Sequence, residues 1–377
     1  MQVTAILYQE TIFKVVTNGK IQYPTVFHSF SYNIKHNAYR NLPWLSTCGI
    51  PLCVYPPVLD AENCSVRKGD KMSLRVVFLG TSGSIPTLKR SLPSVVIQCP
   101  KNQWMFDCGE NVQRQMMQAK VSFHRKMKVF ITHLHGDHVL GLPGLLQTMA
   151  LMDRKESVQI YGPKGLKDFL VCTKETLNFG VNYPVEINQI LSEGVVCDEE
   201  EYMVMATKSN HAVESYAYAF IEKPRPGKFY PKKALALNVA AGALWSNLQR
   251  GEEITLSDGK VVKPNDVMGP LRAGRKIVYT GDTKPFDSFA AFAENADLII
   301  HDCTFDDSLF EKACLDGHST PSQAAGQAKA AGAKQLLLSH ISARYPNAGL
   351  LLDQAKKTFA NSVLAEDFME LELPLSE

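Results

Sequence analysis

The stretch Thr132-His133-Leu134-His135-Gly136-Asp137-His138 constrains this chain more than any other. It follows the apolar run 129–131 and precedes the apolar segment 139–146. Three imidazoles and a carboxylate this close together cannot all be core groups, because each would need a buried partner. Metal ligation accounts for the whole set. The alternative is a solvated histidine-rich loop, which is not typical of a junction between a strand and an apolar helix.

The spacing divides these ligands into two groups. Alternation just beyond the strand aims His133 and His135 the same way, and Asp137 and His138 face a neighbouring point where the chain begins to coil. Imidazole suits Zn²⁺, and an added carboxylate is compatible with two ions about 3.5–4 Å apart. The loop is therefore predicted to supply ligands to two metal ions.

Composition limits the class of protein. The chain has 377 residues, 45% of them hydrophobic and 21% charged, which is typical of globular domains. Its nine cysteines are scattered and include no C-x-x-C pair, which argues against a disulfide framework or a cysteine zinc site. No apolar run is long enough to cross a bilayer, and the N-terminus lacks the layout of a secretion signal. We expect an intracellular, cytoplasmic protein with no membrane partner.

The chain divides near residue 72. Residues 1–71 form a leader without a sustained hydrophobic period, interpreted either as a weakly ordered upstream extension or as a small accessory domain. Beyond it, strands are predicted at 75–79, 94–98, 103–106, 129–132, 158–161, 202–207, 216–221, 277–280, 298–301 and 335–339. Helices are predicted at 111–119, 144–152, 166–179 and 321–331. This alternation predicts an α/β domain over 72–370, with helices packed outside the sheets.

Further candidate ligands follow three other predicted strands. His211, Asp282 and His340 each come directly after a short apolar strand, as His133 does. Taken singly, each is more typical of a structural residue. Because α/β folds build sites at one edge of their sheets, the set together supplies five imidazoles and two carboxylates to one place.

With these residues assembled, the chain resembles the metallo-β-lactamase superfamily, and within it the transfer-RNA 3′-processing endonucleases, the tRNase Z family. The resemblance covers about 72–370. The segments that carry it are 78–86 (FLGTSGSIP), 107–110 (DCGE), 132–138 with 141–144 (GLPG), 281–283 (GDT), 301–305 (HDCTF), 317–320 (GHST) and 338–340 (LSH).

The resemblance implies an αβ/βα four-layer sandwich that binds two Zn²⁺ ions per subunit. One ion would be held by His133, His135 and His211. The other would be held by Asp137, His138 and His340, with Asp282 bridging the two ions. Asp107 resembles the family's loop-organising carboxylate, although a turn-capping role is equally consistent with its sequence context.

Hydrolysis of an RNA phosphodiester needs a nucleophile, charge neutralisation at the phosphate and a proton for the leaving alkoxide. Two zinc ions meet the first two needs, with Asp137 as the candidate proton acceptor. His318 is the candidate proton donor, and Asp302 could orient it and keep it protonated. Many members of the family carry Glu where this chain has Asp302. A structural alternative for His318 is to cap the helix that begins near Ser319.

Residues 222–250 are predicted to form a basic arm. A strand cannot continue through Pro224-Arg225-Pro226-Gly227, so the segment must leave the sheet. Taken alone, it could equally be a solvated surface insertion. It resembles the protruding flexible arm with which tRNase Z grips the elbow of transfer RNA. The RNA-binding candidates are Lys223, Arg225, Gly227, Lys228, Lys232 and Lys233.

By resemblance, the protein is a zinc-dependent endoribonuclease that removes the 3′ trailer from precursor tRNA and leaves a 3′-hydroxyl group. The resemblance also implies a homodimer in which one subunit's arm serves the other subunit's active site. The alternative is a metallo-β-lactamase-fold phosphodiesterase or nuclease with another substrate, because the metal chemistry is permissive.

Overall fold

A computed structural model describes residues 74–375, together with the backbone of β1 (Thr4–Ile6), β2 (Lys14–Thr17) and β3 (Lys20–Gln22). The chain divides into two compact units, Met1–Asn63 and Cys64–Glu377. In the first unit, the three strands form an antiparallel sheet. The rest of the predicted leader lies outside the described residues, so both interpretations of it stay predictions.

In its described residues, the second unit contains two seven-stranded sheets and two short two-stranded ones. Its strands are β4 (Leu74–Gly80), β5 (Ser82–Gly83), β6 (Ser94–Gln98), β7 (Asn102–Phe106), β8 (Lys126–Phe130), β9 (Val158–Gly162), β10 (Val185–Gln189), β11 (Gly194–Asp198), β12 (Tyr202–Lys208), β13 (Tyr216–Glu222), β14 (Ile254–Thr255), β15 (Val261–Val262), β16 (Lys276–Tyr279), β17 (Leu298–Asp302), β18 (Leu336–Ser339), β19 (Ile341–Ser342), β20 (Ser362–Leu364) and β21 (Glu370–Leu373).

The helices of this unit lie between those strands in the sequence. They are α1 (Val112–Gln118), α2 (Gly136–Val139), α3 (Gly141–Leu151), α4 (Leu166–Leu177), α5 (Pro231–Ala236), α6 (Ala243–Gln249), α7 (Pro264–Val267), α8 (Phe289–Phe292), α9 (Phe310–Asp316), α10 (Pro321–Ala330) and α11 (Gly349–Thr358). Within the described residues, none of the helices is long and apolar enough to cross a bilayer.

Both large sheets are mixed. The first has the order β10-β9-β8-β7-β6-β4-β21, and the second has the order β11-β12-β13-β16-β17-β18-β20. Strands β7 to β10 are parallel to one another, and so are β16, β17, β18 and β20. Because parallel strands end at the same edge of a sheet, each sheet presents a row of carboxyl ends from which loops can build a site.

The strands alternate their side chains between two apolar layers. In β7, Trp104 and Phe106 belong to a cluster that also contains Tyr218 and Phe220 from the second sheet, and the Trp104 and Phe220 rings meet edge to face at 5.3 Å. Met105, between them in sequence, belongs to a separate cluster on the outer face. This period of two is what a strand buried on both faces requires.

Helices cover the outer face of each sheet. Residues of α1, α3 and α4 pack on the first sheet, and residues of α8, α10 and α11 pack on the second. The layers are therefore helix, sheet, sheet, helix. The predicted α/β four-layer sandwich is confirmed.

Several predicted boundaries move. The strand predicted at 129–132 is β8, which ends at Phe130 because the chain turns toward the metal-type residues two residues earlier than expected. The helix predicted at 144–152 begins at Gly141, where the backbone lies so close to Gly109 that a Cβ atom would be 1.9 Å from its carbonyl oxygen. The domain continues past 370, since β21 pairs with β4.

Apart from Glu222, which ends β13, the predicted arm (222–250) lies within a longer insertion between two paired strands. Strands β13 and β16 pair directly, with Ile221 opposite Lys276, so the inserted segment is 223–275. Isolated bridges of Arg225 with Arg272 and of Phe229 with Met268 join its two ends. Beyond them, the segment has a small apolar cluster of its own, built from Ala234, Val239, Leu248, Ile254, Val262 and Val267. That the segment protrudes and is flexible stays a prediction.

Candidate metal centre

Four loops meet at the carboxyl edge of the two sheets. His133 follows β8, and the chain then begins α2, which carries Asp137 and His138. His211, Asp282 and His340 follow β12, β16 and β18 of the second sheet. The structure thus brings the seven predicted ligands together from both halves of the domain.

The first group consists of His133, His135, His211 and Asp282, whose ligand-type atoms all lie within 4.8 Å of one another. Nε2 of His133 and Nε2 of His211 lie 3.0 Å and 3.2 Å from Nδ1 of His135. Nε2 of His133 is also 3.7 Å from Oδ2 of Asp282. Three imidazole nitrogens therefore converge on one point beside a carboxylate.

The second group consists of Asp137, His138, Asp282 and His340, again with ligand-type atoms within 4.8 Å of one another. Nε2 of His138 and Nε2 of His340 lie 3.3 Å and 3.1 Å from Oδ1 of Asp282. Oδ2 of Asp137 lies 3.4 Å from Nε2 of His340. Asp282 belongs to both groups and presents one oxygen to each.

These donors fit a pair of divalent cations. Oδ1 of Asp282 is buried and accepts no hydrogen bond, which is costly for a carboxylate unless a cation compensates it. Burial lowers the pKa of His133 well below its usual value and also lowers that of His135, which keeps these rings neutral and able to act as ligands. Burial raises the pKa of Asp282, but His138 and His340 lower it more, so the carboxyl group is ionised.

In four of the candidate ligands, the other ring nitrogen is already engaged. Nδ1 of His133 lies 2.9 Å from Oγ1 of Thr132. Nδ1 donates to Oδ2 of Asp107 in His138 at 2.7 Å, to Oγ1 of Thr304 in His340 at 2.7 Å and to the carbonyl of Gly317 in His211 at 2.8 Å. Such hydrogen bonds fix the tautomer, so Nε2 is the atom that faces the cluster. Of the two interpretations of Asp107, its bond to His138 favours the loop-organising role.

Asp107 holds the first loop in place. Its backbone has a φ of 57°, a left-handed conformation that few residues other than glycine adopt. Its Oδ1 accepts from the backbone N–H of Thr132 at 2.8 Å, and its Oδ2 accepts from the hydroxyl of Tyr279 at 2.9 Å. The carboxylate therefore joins the loop after β8 to strand β16 of the opposite sheet.

His318 lies next to the second group without being needed as a ligand. Its Nδ1 donates to Oδ2 of Asp302 at 2.9 Å, so the shorter aspartate side chain reaches it. Burial lowers the pKa of His318, but Asp302 raises it more, to about 9. The helix after it begins at Pro321 with Thr320 as the N-terminal cap, so His318 is not the capping residue of the structural alternative.

At two glycines the backbone lies very close to the side chain of another site residue. A Cβ atom on Gly83 would lie 2.5 Å from the ring of His340, and one on Gly281 would lie 2.6 Å from Thr132. Gly281 also has a φ of 57°. Ser84, the residue after Gly83, donates its backbone N–H to Oδ2 of Asp137 at 2.8 Å. The glycine-containing motifs therefore bring backbone against the ligands.

The predicted RNA-binding residues are all in the inserted segment, and the metal-type groups found in residues 74–375 include none of them. Lys223 pairs with Asp198 at 2.6 Å, and Nζ of Lys233 lies 4.8 Å from the ring of Tyr230. Gly227 approaches the backbone of Gly269, where a Cβ atom would lie 2.0 Å from the carbonyl oxygen. Lys228, Lys232 and Lys233 are exposed, whereas Arg225 is half-buried.

Sequence reasoning missed Thr304 and Tyr279. Oγ1 of Thr304 donates to Oδ1 of Asp302 at 2.7 Å and accepts from Nδ1 of His340. It therefore links the carboxylate that holds His318 to one of the candidate ligands. Thr304 could have been found as the residue that follows Asp302 on the same side of an extended chain. Tyr279 has no such local indication, because its partner is 172 residues away in the sequence.

Comparison with known proteins gives the family. The family model described as "Anti-Pycsar protein Apyc1" matches residues 74–221, and "Beta-lactamase superfamily domain" matches 253–341. The chain is 44% identical over 302 residues to a "Ribonuclease Z" of Methanosarcina acetivorans, covering 80% of this chain and 98% of the relative. It is 40% identical over 300 residues to a "Ribonuclease Z" of Nitrosopumilus maritimus, covering 80% of this chain and 100% of the relative.

Solved structures agree with this. The crystal structure of the short form of human tRNase Z is 30% identical, with a TM-score of 0.59, and the match covers 80% of this chain and all of that one. YhfI from Bacillus subtilis, a metallo-β-lactamase-fold protein, is 21% identical with a TM-score of 0.57 over 80% of this chain and 100% of its own, which shows the fold alone. This chain has the metallo-β-lactamase fold and belongs to the ribonuclease Z family.

Proposed function

We propose that this protein is a zinc-dependent endoribonuclease that removes the 3′ trailer from precursor tRNA and leaves a 3′-hydroxyl group on the tRNA. The observation that carries the proposal is the complete pair of ligand groups, joined by Asp282, in a chain that spans nearly the whole length of proteins named ribonuclease Z. The name of the human structure, tRNase Z, supports tRNA as the substrate.

The two groups indicate which residues would hold each ion. His133, His135 and His211 would bind one Zn²⁺, and Asp137, His138 and His340 would bind the other, with Asp282 between them. When bound, two such ions supply a nucleophile at neutral pH and neutralise charge on the phosphate. The nitrogen-rich donor set favours zinc over magnesium or calcium, which prefer oxygen ligands.

Two side chains would move protons. Asp137 would accept a proton from the attacking water. Burial raises the pKa of Asp137, but His340 and His138 together lower it more, so the carboxyl group is ionised. His318, held protonated by Asp302, would donate a proton to the departing ribose oxygen. These roles place an ionised carboxylate and a charged imidazole on either side of the same cluster.

The inserted segment would bind the body of the tRNA. Residues 223–275 contain ten lysine and arginine residues and four acidic residues. Three of the lysines, Lys228, Lys232 and Lys233, are exposed and adjacent to the start of α5, where they could contact phosphates away from the cleaved bond. Such contacts carry no sequence information, which suits an enzyme that must act on many tRNAs.

The remaining elements of the proposal concern assembly and location. We propose a homodimer in which the arm of one subunit binds tRNA that is cut by the other. An intracellular, cytoplasmic location is consistent with the six cysteines of the described residues, all of which are free thiols.

The alternative is a phosphodiesterase with another substrate. Residues 74–221 match the family model described as "Anti-Pycsar protein Apyc1". This match supports the alternative function, since it covers the metal loop but ends before the inserted segment. The two functions share the metal centre and differ in whether the arm is needed.

The test compares two substrates, a precursor tRNA with a 3′ trailer and the small ester bis(p-nitrophenyl) phosphate. Variants are His135→Ala and an arm deletion in which residues 223–274 are replaced by an Asn-Gly turn, which can close the β13–β16 hairpin. We expect wild type to cut both substrates, His135→Ala to cut neither and the deletion to cut only the small ester. Wild type that cuts the ester but ignores precursor tRNA would support the alternative.

A further inference from the structure

Tyr279 lies at the end of β16, three residues before Asp282, and its side chain faces the space between the two sheets. It is 6% exposed, and its ring packs against Phe106 with centroids 5.9 Å apart. Its hydroxyl group donates to Oδ2 of Asp107 at 2.9 Å. A residue of the second sheet therefore touches a carboxylate delivered by the first.

Hydrogen bonds occupy both oxygens of the Asp107 carboxylate. Its Oδ1 accepts from the backbone N–H of Thr132 at 2.8 Å, and the hydroxyl of Thr132 lies between the two oxygens, 3.0 Å from Oδ1 and 2.9 Å from Oδ2. Its Oδ2 accepts from Nδ1 of His138 at 2.7 Å and from Tyr279. An ionised carboxylate has about four lone-pair sites, so these four donors leave the group no freedom to rotate without losing a bond.

We propose that Tyr279 is a positioning residue for the metal site formed by Asp137, His138, Asp282 and His340. Its hydroxyl group fixes the Asp107 carboxylate, which in turn fixes the ring orientation and tautomer of His138 so that Nε2 points at Asp282. The inference rests on the two-ion centre of the proposed function and adds a residue to it. Because Asp282 comes three residues after Tyr279, just beyond the end of β16, this strand end would set both a direct ligand and the orientation of a second one.

The effect should differ between the two ions. Tyr279 shares Oδ2 of Asp107 with His138, whereas the other metal group is linked to Asp107 only through Thr132, whose hydroxyl lies 2.9 Å from Nδ1 of His133. Thr132 keeps its backbone bond to Oδ1 if Tyr279 loses its hydroxyl group. The site that contains His138 should therefore be weakened more than the site that contains His133.

The sheet supplies a matched control. Tyr218 is the cross-strand partner of Tyr279, it is also buried, and its ring lies 6.0 Å from the same Phe106. Its hydroxyl group donates to the carbonyl of Ile131 at 2.6 Å rather than to a side chain behind a ligand. Tyr218→Phe and Tyr279→Phe therefore remove the same atom from the same aromatic layer.

The experiment measures metal binding without any RNA. Wild type, Tyr279→Phe and Tyr218→Phe are titrated with Zn²⁺ against a chelator and loaded with ¹¹³Cd²⁺ for NMR. For Tyr279→Phe we expect one of the two affinities to fall by roughly tenfold, the low end for groups behind metal ligands, and one of the two ¹¹³Cd resonances to shift or broaden. Tyr218→Phe should retain both affinities and both resonances.

Two results would overturn the inference alone: unchanged binding in Tyr279→Phe, or equal losses in both variants and at both sites, which would mark a general structural effect. Wild type that binds fewer than two ions would overturn the two-ion centre itself, together with the inference. Circular dichroism of all three proteins checks that each is folded before the titration.

Discussion

Nδ1 of His318 donates to Oδ2 of Asp302 across 2.9 Å, in a place where Asp302 is buried and His318 is nearly so. The pair lies beside the second ligand group, since Nδ1 of His318 is also 3.9 Å from Asp282. A buried carboxylate with this contact keeps the imidazole charged. The pair therefore has the composition of a proton donor and its orienting base.

Asp302→Asn tests that role. The amide cannot hold His318 protonated, so we expect RNA cleavage to slow by roughly 10²-fold, within the range for loss of general acid catalysis. Hydrolysis of bis(p-nitrophenyl) phosphate should be nearly unaffected, because p-nitrophenolate leaves without a proton. Single-turnover rates on the two substrates provide the measurement, with zinc content determined in parallel. Equal slowing on both substrates would contradict a proton-donor role.

Asp282→Asn tests the shared ligand. The substitution keeps the shape of the side chain but removes the charge between the two groups, so both ions should bind more weakly by roughly 10–100-fold or more. His211→Ala, which removes a ligand from one group only, should lower one affinity and spare the other. Zinc content after dialysis against a weak chelator distinguishes the two patterns. A selective loss in Asp282→Asn would show that it serves a single ion.

Neutralising the exposed lysines of the arm should weaken RNA binding in a salt-dependent way. If these lysines contact phosphates as proposed, the triple change Lys228→Ala, Lys232→Ala and Lys233→Ala should decrease the slope of log K against log salt by about 2 to 3. Lys329, Lys356 and Lys357, exposed on the outer helices, provide a control with the same change in net charge. Filter binding of precursor tRNA at several salt concentrations gives both slopes, and equal slopes would argue against the arm.

Glu222→Gln should destabilise the domain at the base of the arm. Glu222 and Arg275 are each 2% exposed, and Nε and Nη2 of the guanidinium each lie 2.8 Å from a carboxylate oxygen. Removing one charge leaves the other buried, which costs about 3–5 kcal/mol in the free energy of unfolding. Urea unfolding measures the loss. The double change Glu222→Gln with Arg275→Met should recover part of it, and no recovery would indicate that packing rather than charge dominates.

Local sequence order predicts the candidate ligands but not the side chains that hold them in place. His133, His211, Asp282 and His340 could be found because each follows a short apolar strand, and a strand end is a local feature. The bond from Tyr279 to Asp107 arises only when the two sheets face each other, so no local period indicates it. The extent of the insertion is not a local feature either, since the chain returns to the sheet only at Lys276, after two short strands and two helices that follow the basic residues.

The direct pairing of Ile221 with Lys276 has a consequence for how such a protein can change over generations. Both ends of the inserted segment sit on neighbouring strands about 4.8 Å apart, so residues can be added or lost between them without breaking the sheet. Doubling a loop costs only about 0.6 kcal/mol in closure entropy. The inserted segment and the metal centre can therefore diversify independently of each other.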